Sequence, residues 1–127
     1  MALPEYDWDL HRFLTAMRER DGNHRRFYMA APWRRLRAHV LEEFHYESYD
    51  EARASPARYV RAQCVHHDRF LWHWPGWALS EWWVDSHGNI HRNLFPLSHD
   101  AHDARHARFR YGQRFEEAAD PLTLERW

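Results

Sequence analysis

Four histidines and an asparagine, in a fixed order over residues 65–106, constrain this chain more than any other feature. His66 and His67 stand side by side at the end of a strand-like run. Asn93 follows in a strand-like run, Arg92-Asn93-Leu94-Phe95-Pro96-Leu97. His102 and His106 then lie four residues apart. Tyr59-Val60-Arg61-Ala62-Gln63-Cys64-Val65-His66-His67 reads as a strand. Ser98 suits a helix N-cap, so residues 99–109 read as a helix with His102 and His106 on one face. Trp82-Trp83-Val84, a turn at Asp85-Ser86-His87-Gly88-Asn89, and a return from Ile90 to Leu97 give a hairpin between them. Neighbours in a strand point to opposite faces, so His66 and His67 cannot share one role. His66, His102 and His106 can therefore converge on one cation, leaving His67 as a base with a pKa suited to neutral pH. A metal that neutralises phosphate charge beside a base that activates water suits phosphodiester hydrolysis.

The rest of the chain reads as support. Asp7 caps a helix over 7–21, which Asp21-Gly22-Asn23 ends. Residues 23–32 form a basic connector through Phe27-Tyr28 to Pro32. A second helix over 33–44 carries Trp33, Leu36, Val40, Leu41 and Phe44 as one apolar stripe. Residues 45–58 read as irregular. Five of the eight Trp fall at 72, 74, 77, 82 and 83 around a Pro75-Gly76 turn. Such a cluster suits a core, or alternatively a stacking platform or protein interface. The segment 110–127 reads as an extension with a short helix starting near Pro121.

Charge is uneven although the net is near zero. Residues 12–37 hold eight Arg against Glu19 and Asp21, a net of +6. Lys is absent from the chain. Arg25, Arg26, Arg34, Arg35 and Arg37 are candidates for phosphate contacts, since guanidinium forks onto phosphate oxygens; a solvated basic face or a coding bias toward Arg accounts for the same residues. At 127 residues the chain is expected to be one domain. No run of about 18 apolar residues exists, so no membrane span is expected. The acidic N-terminus lacks a signal-peptide pattern. The lone Cys64 cannot form an intrachain disulfide and reads as a buried strand residue. A cytoplasmic setting fits these traits.

The order Val65-His66-His67, Arg92-Asn93-Leu94-Phe95-Pro96-Leu97, His102 and His106 resembles the HNH endonuclease family, with its ββα-metal (His-Me finger) fold. Phe27-Tyr28, Trp33-Arg34-Arg35-Leu36-Arg37-Ala38-His39-Val40-Leu41 and His45-Tyr46-Glu47 are similar to the entry helix and knuckle of phage and bacterial members. The resemblance covers about residues 27–106. It implies an α+β fold with a ββα-metal core over about 27–109, flanked by N-terminal helices. It also implies a DNA endonuclease of phage or mobile-element type, with His67 as general base and Asn93 holding the hairpin loop. His66, His102 and His106 would bind a divalent metal (Mg, Mn, Ni or Zn), with three imidazoles favouring a transition metal over Mg.

One departure stands out. Zinc-containing members carry two Cys-x-x-Cys pairs, and the matching positions here are Ser48 and Glu51, then Ser98 and Ala101. Without thiolates no structural zinc is expected, and the Trp cluster is the expected source of the missing hold. The nuclease domains of DNase colicins, similar in the offsets of these histidines, also lack that zinc. The departure leaves a second reading open: a repurposed scaffold that binds a protein partner through Trp72–Trp83, for instance as an anti-defence inhibitor, or binds nucleic acid without cutting it.

Overall fold

The computed structural model describes residues 3–112, and side chains as far as residue 107. The expected extension helix near Pro121 lies outside the described residues. The chain runs α1 (Trp8–Asp21), α2 (Arg25–Met29), α3 (Ala31–Glu43), α4 (Tyr49–Ala52), β1 (Cys64–His67), a 3-10 turn (Pro75–Trp77), β2 (Trp82–Val84), β3 (Ile90–Arg92), β4 (Leu94–Leu97) and α5 (His99–Gly112). The class is α+β, with two two-stranded sheets, β1–β4 and β2–β3. The chain divides into two compact units. One comprises residues up to Ala38 with His67–Leu94; the other comprises His39–His66 with residues from Phe95 onward.

In the first unit, α1 forms where the sequence signals it. Asp7 Oδ1 accepts from Leu10 N at 2.9 Å. Gly22 closes the helix at φ 77°, its N–H bonded to Arg18 O. Leu14 and Met17 are buried. Arg18 donates to Trp72 O at 3.0 Å and stacks over the Trp72 ring at 4.9 Å. His24 is buried, with Nε2 3.0 Å from Leu14 O. The basic connector is itself partly helical: α2 buries Phe27, whose ring lies 5.9 Å from that of Trp33. A five-residue helix has no stability of its own, so this packing makes it.

At the Pro75-Gly76 turn, Asp7 N donates to Gly76 O at 3.2 Å and the Tyr6 ring covers the glycine. A Cβ on Gly76 would meet Tyr6 Cε2 at 2.5 Å. The Tyr6 ring is held by a 2.6 Å bond to His11 Nδ1 and an edge contact with Trp77. Gly76→Ala should therefore cost about 2 kcal/mol, read as a lower urea midpoint. In a Tyr6→Ala background the same substitution should cost much less.

The hairpin pairs Trp82 with Arg92, Trp83 with His91 and Val84 with Ile90. Asp85 Oδ1 accepts from His87 N and Asn89 N, and Gly88 takes φ 82°. The expected single return strand from Ile90 to Leu97 is broken at Asn93. Its backbone N donates to Glu81 O at 2.7 Å, and its O accepts from Asp68 N at 2.7 Å. Trp77 and Trp83 are buried, Trp72 and Trp74 partly so, and Trp82 is exposed.

In the second unit, Cys64, Phe95, Leu97 and Ala101 form a core with Tyr49 packed against it. β1 and β4 are buried at every position. The strand expected over 59–67 is shorter, Cys64–His67; upstream the chain makes only an antiparallel bridge, Glu47 to Arg61. The irregular segment 45–58 contains α4. α3 ends with His45 and Tyr46 in the left-handed region, φ 54° and 61°, with Tyr46 N donating to Leu41 O at 2.8 Å. That terminus carries no glycine, so the sequence does not advertise it.

Candidate functional site

Three of the predicted ligands meet in the second unit. His66 comes from β1, and His102 and His106 come from successive turns of α5. All three are buried, at 4, 2 and 3% exposure. Ring centroids lie 5.3 Å apart for His66–His102, 5.2 Å for His66–His106 and 4.4 Å for His102–His106. One ring nitrogen from each lies within 4.8 Å of the other two. Three atoms within 4.8 Å of one another all lie within about 2.8 Å of some common point, so small side-chain rotations reach the roughly 2.1 Å of a metal–imidazole bond. The three could thus hold a metal ion, with open positions for water or substrate. His102 Nδ1 also lies 3.8 Å from Asp103 Oδ1.

His67 belongs to the first unit and is 7% exposed. Its Nε2 is 2.9 Å from Ala78 O. A carbonyl only accepts, so Nε2 carries the proton and donates, which makes Nδ1 the basic nitrogen of the neutral ring. Trp33, 1% exposed, stacks on the imidazole with centroids 4.7 Å apart and 24° between planes. Asn93, fully buried, ties down the loop that supplies the carbonyl. Its Nδ2 donates to Trp77 O at 2.9 Å and Ser80 O at 3.0 Å, and its Oδ1 accepts from Arg69 N at 2.9 Å. Trp77 and Ser80 flank Ala78, so the amide holds the segment that orients His67.

The four positions matched to zinc cysteines also come together. Ser48, Glu51, Ser98 and Ala101 are all buried. Glu51 accepts from the Ser48 hydroxyl through one oxygen and from Ser98 Oγ, at 2.5 Å, through the other. Ser98 N donates to Ser48 Oγ at 2.9 Å, and Ala101 N to Ser98 Oγ at 3.1 Å. Two hydroxyls, a carboxylate and a methyl do not fit a tetrahedral zinc, which takes Cys, His or several carboxylates. The expectation that the Trp cluster supplies the hold needs correction for this locus. All five Trp of residues 72–83 belong to the first unit, whereas these four positions belong to the second. Here the tie is a hydrogen-bonded carboxylate.

Burial raises the Glu51 pKa, but the bonds from Ser48 and Ser98, with its own backbone N–H and Arg58, outweigh it and hold the carboxyl below its ordinary value. A depressed folded pKa contributes stability above the unfolded value that is lost as pH falls through the folded one. Acid unfolding of the wild type should therefore begin below the ordinary carboxylate range, and Glu51→Gln should flatten that limb of a Tm-against-pH curve.

Sequence reasoning missed this role for Glu51, and also the bidentate pair of Arg105 with Asp50, at 2.8 and 2.6 Å. The Ser48-x-x-Glu51 spacing is a capping-box signal, but α4 makes no side-chain cap bond, and nothing local points to Ser98 or Arg105 as partners. It missed as well the pairing of His91 with Asp85 at 2.8 Å and its stacking on Trp83 at 4.2 Å. The bond to His91, with the turn amides, holds the Asp85 carboxyl at about 2. Of the predicted phosphate-contacting residues, Arg25, Arg26, Arg34 and Arg35 are exposed and Arg37 is partly buried. Arg26 pairs with Asp21 at 3.3 Å.

No protein-family model matches the chain, and neither a curated protein nor a solved structure shows significant similarity to it. Among the described residues, no helix is long and apolar enough to cross a membrane.

Proposed function

We propose that this chain is a metal-dependent endonuclease of HNH type, hydrolysing phosphodiester bonds in DNA. The observation that carries the reading is the convergence of His66, His102 and His106, buried, on one point. A cation held there would neutralise charge on the scissile phosphate and the departing oxygen. Three imidazoles suit Zn, Ni or Mn better than Mg, which prefers oxygen. His67 takes a proton from the attacking water at Nδ1. Ala78 O fixes the tautomer and Trp33 restricts the ring. Asn93 keeps the carbonyl in place. The exposed Arg25, Arg26, Arg34 and Arg35 contact backbone phosphates, which makes binding salt-dependent.

Supercoiled plasmid incubated with Mg, Mn, Ni or Zn, each against chelator, tests the proposal. Nicked circles that form only with metal are the expected result; no cleavage with any of the four overturns it. A binding role without cutting has one observation in its favour. Trp82 and Ile90, 43 and 47% exposed, share one face of the β2–β3 hairpin. Under that reading cleavage is absent, and Trp82→Ala abolishes capture of a protein partner. Salt-sensitive DNA binding without cleavage marks the nucleic-acid-binding version.

A further inference from the structure

We propose that Glu51 and Asp50 are positioning residues for the metal centre: α4 grips α5 at two points and thereby sets where His102 and His106 stand. The proposal rests on the metal reading above. Few apolar contacts hold the part of α5 whose side chains are described, residues 99–107. Of its described side chains, only Ala101, His102 and His106 are buried. Apolar anchorage in that stretch amounts to one methyl group.

Polar ties from α4 take that place. The first is at the start of α5. Glu51 bonds Ser98 Oγ at 2.5 Å, and Ser98 O accepts from His102 N at 2.9 Å, so the clasped residue opens the turn that carries the first ligand. The second is seven residues on. Arg105, immediately before the second ligand, forks onto Asp50, and its guanidinium lies 4.2 Å from the Phe95 ring centroid. At about 1.5 Å rise per residue the two ties are about 10 Å apart along the axis. One tie fixes the axial position of a rigid helix; a second one two turns away on the same face also fixes its tilt. Both carboxylates come from adjacent residues of one short helix, so the grip acts as one body. Groups that orient metal ligands without touching the metal commonly change affinity 10- to 100-fold.

Ni(II) titrated calorimetrically into the wild-type chain and its Glu51→Gln and Asp50→Asn variants tests this. We expect Kd to rise about tenfold in each variant, with one ion per chain retained and the circular dichroism unchanged. Asp50→Glu, which can keep the fork onto Arg105, should recover most of the affinity. A merely structural role lowers Tm and leaves the Kd of the folded variant unchanged. Affinity within twofold of wild type in both variants overturns the proposal. Should Glu51→Gln not fold, Asp50→Asn decides, because its ion pair is partly solvent-exposed. Absence of Ni(II) binding by the wild type overturns the metal reading, and this proposal with it.

Discussion

His67→Ala should lower the rate of plasmid nicking about 10³-fold, as expected for removal of a general base, while leaving the affinity for metal within about twofold of wild type. The split follows from which residue does what. His67 contributes no nitrogen to the group formed by His66, His102 and His106. Its proton-bearing nitrogen is committed to Ala78 O. Under the proposed mechanism, removing the imidazole takes away the atom that would accept the proton from water and leaves the three candidate ligands in place. His67→Gln should be nearly as slow, because an amide can bond Ala78 O but has no basic nitrogen. Nicking by His67→Ala at the wild-type rate would contradict the role assigned to His67 and leave the metal ligands in question only for catalysis, not for binding.

Asn93→Ala carries the second large effect, and it falls on stability as well as rate. The side chain is completely buried and makes three hydrogen bonds, all to backbone groups. Truncation leaves Trp77 O, Ser80 O and Arg69 N without that partner. At about 1 kcal/mol for each such loss the cost is about 3 kcal/mol, or roughly 10 °C in Tm for a chain of this size. The freed segment includes Ala78, so the surviving folded protein should also nick more slowly. Asn93→Asp tests the geometry separately. A carboxylate can accept from Arg69 N but cannot donate to the two carbonyls, so it should be at least as damaging as alanine. A variant with wild-type Tm would contradict the role given to this amide.

Where structure depends on local chemistry, the sequence was readable. Asp7 and Gly22 bound α1, the Trp33–Leu41 stripe marks α3, Asp85 and Gly88 make the hairpin turn, and Ser98 caps α5. The three metal-binding candidates were legible because strand and helix periodicities predict where their side chains go. What escaped depends on distant contacts. α2 exists because Phe27 packs against Trp33, and α4 and its ties to α5 join residues about fifty positions apart. The break at Asn93 was hidden because its flanks are strand-like; the backbone changes partner there, its N–H bonding Glu81 O and its carbonyl accepting from Asp68 N. That Ser48, Glu51, Ser98 and Ala101 offer no thiolate could be read from the sequence, but the bonds that join them could not. A buried Glu that bonds a hydroxyl forty-seven positions away leaves no trace in periodicity.

We propose that one metal ion at His66, His102 and His106 makes this chain a phosphodiesterase. Titrating metal-free protein with Ni(II) while following plasmid nicking measures it directly. The rate should climb from zero and saturate at one equivalent per chain for the wild type, and stay at zero throughout for His102→Ala. Nicking without metal, or an identical titration for His102→Ala, would rule out a catalytic metal at these histidines.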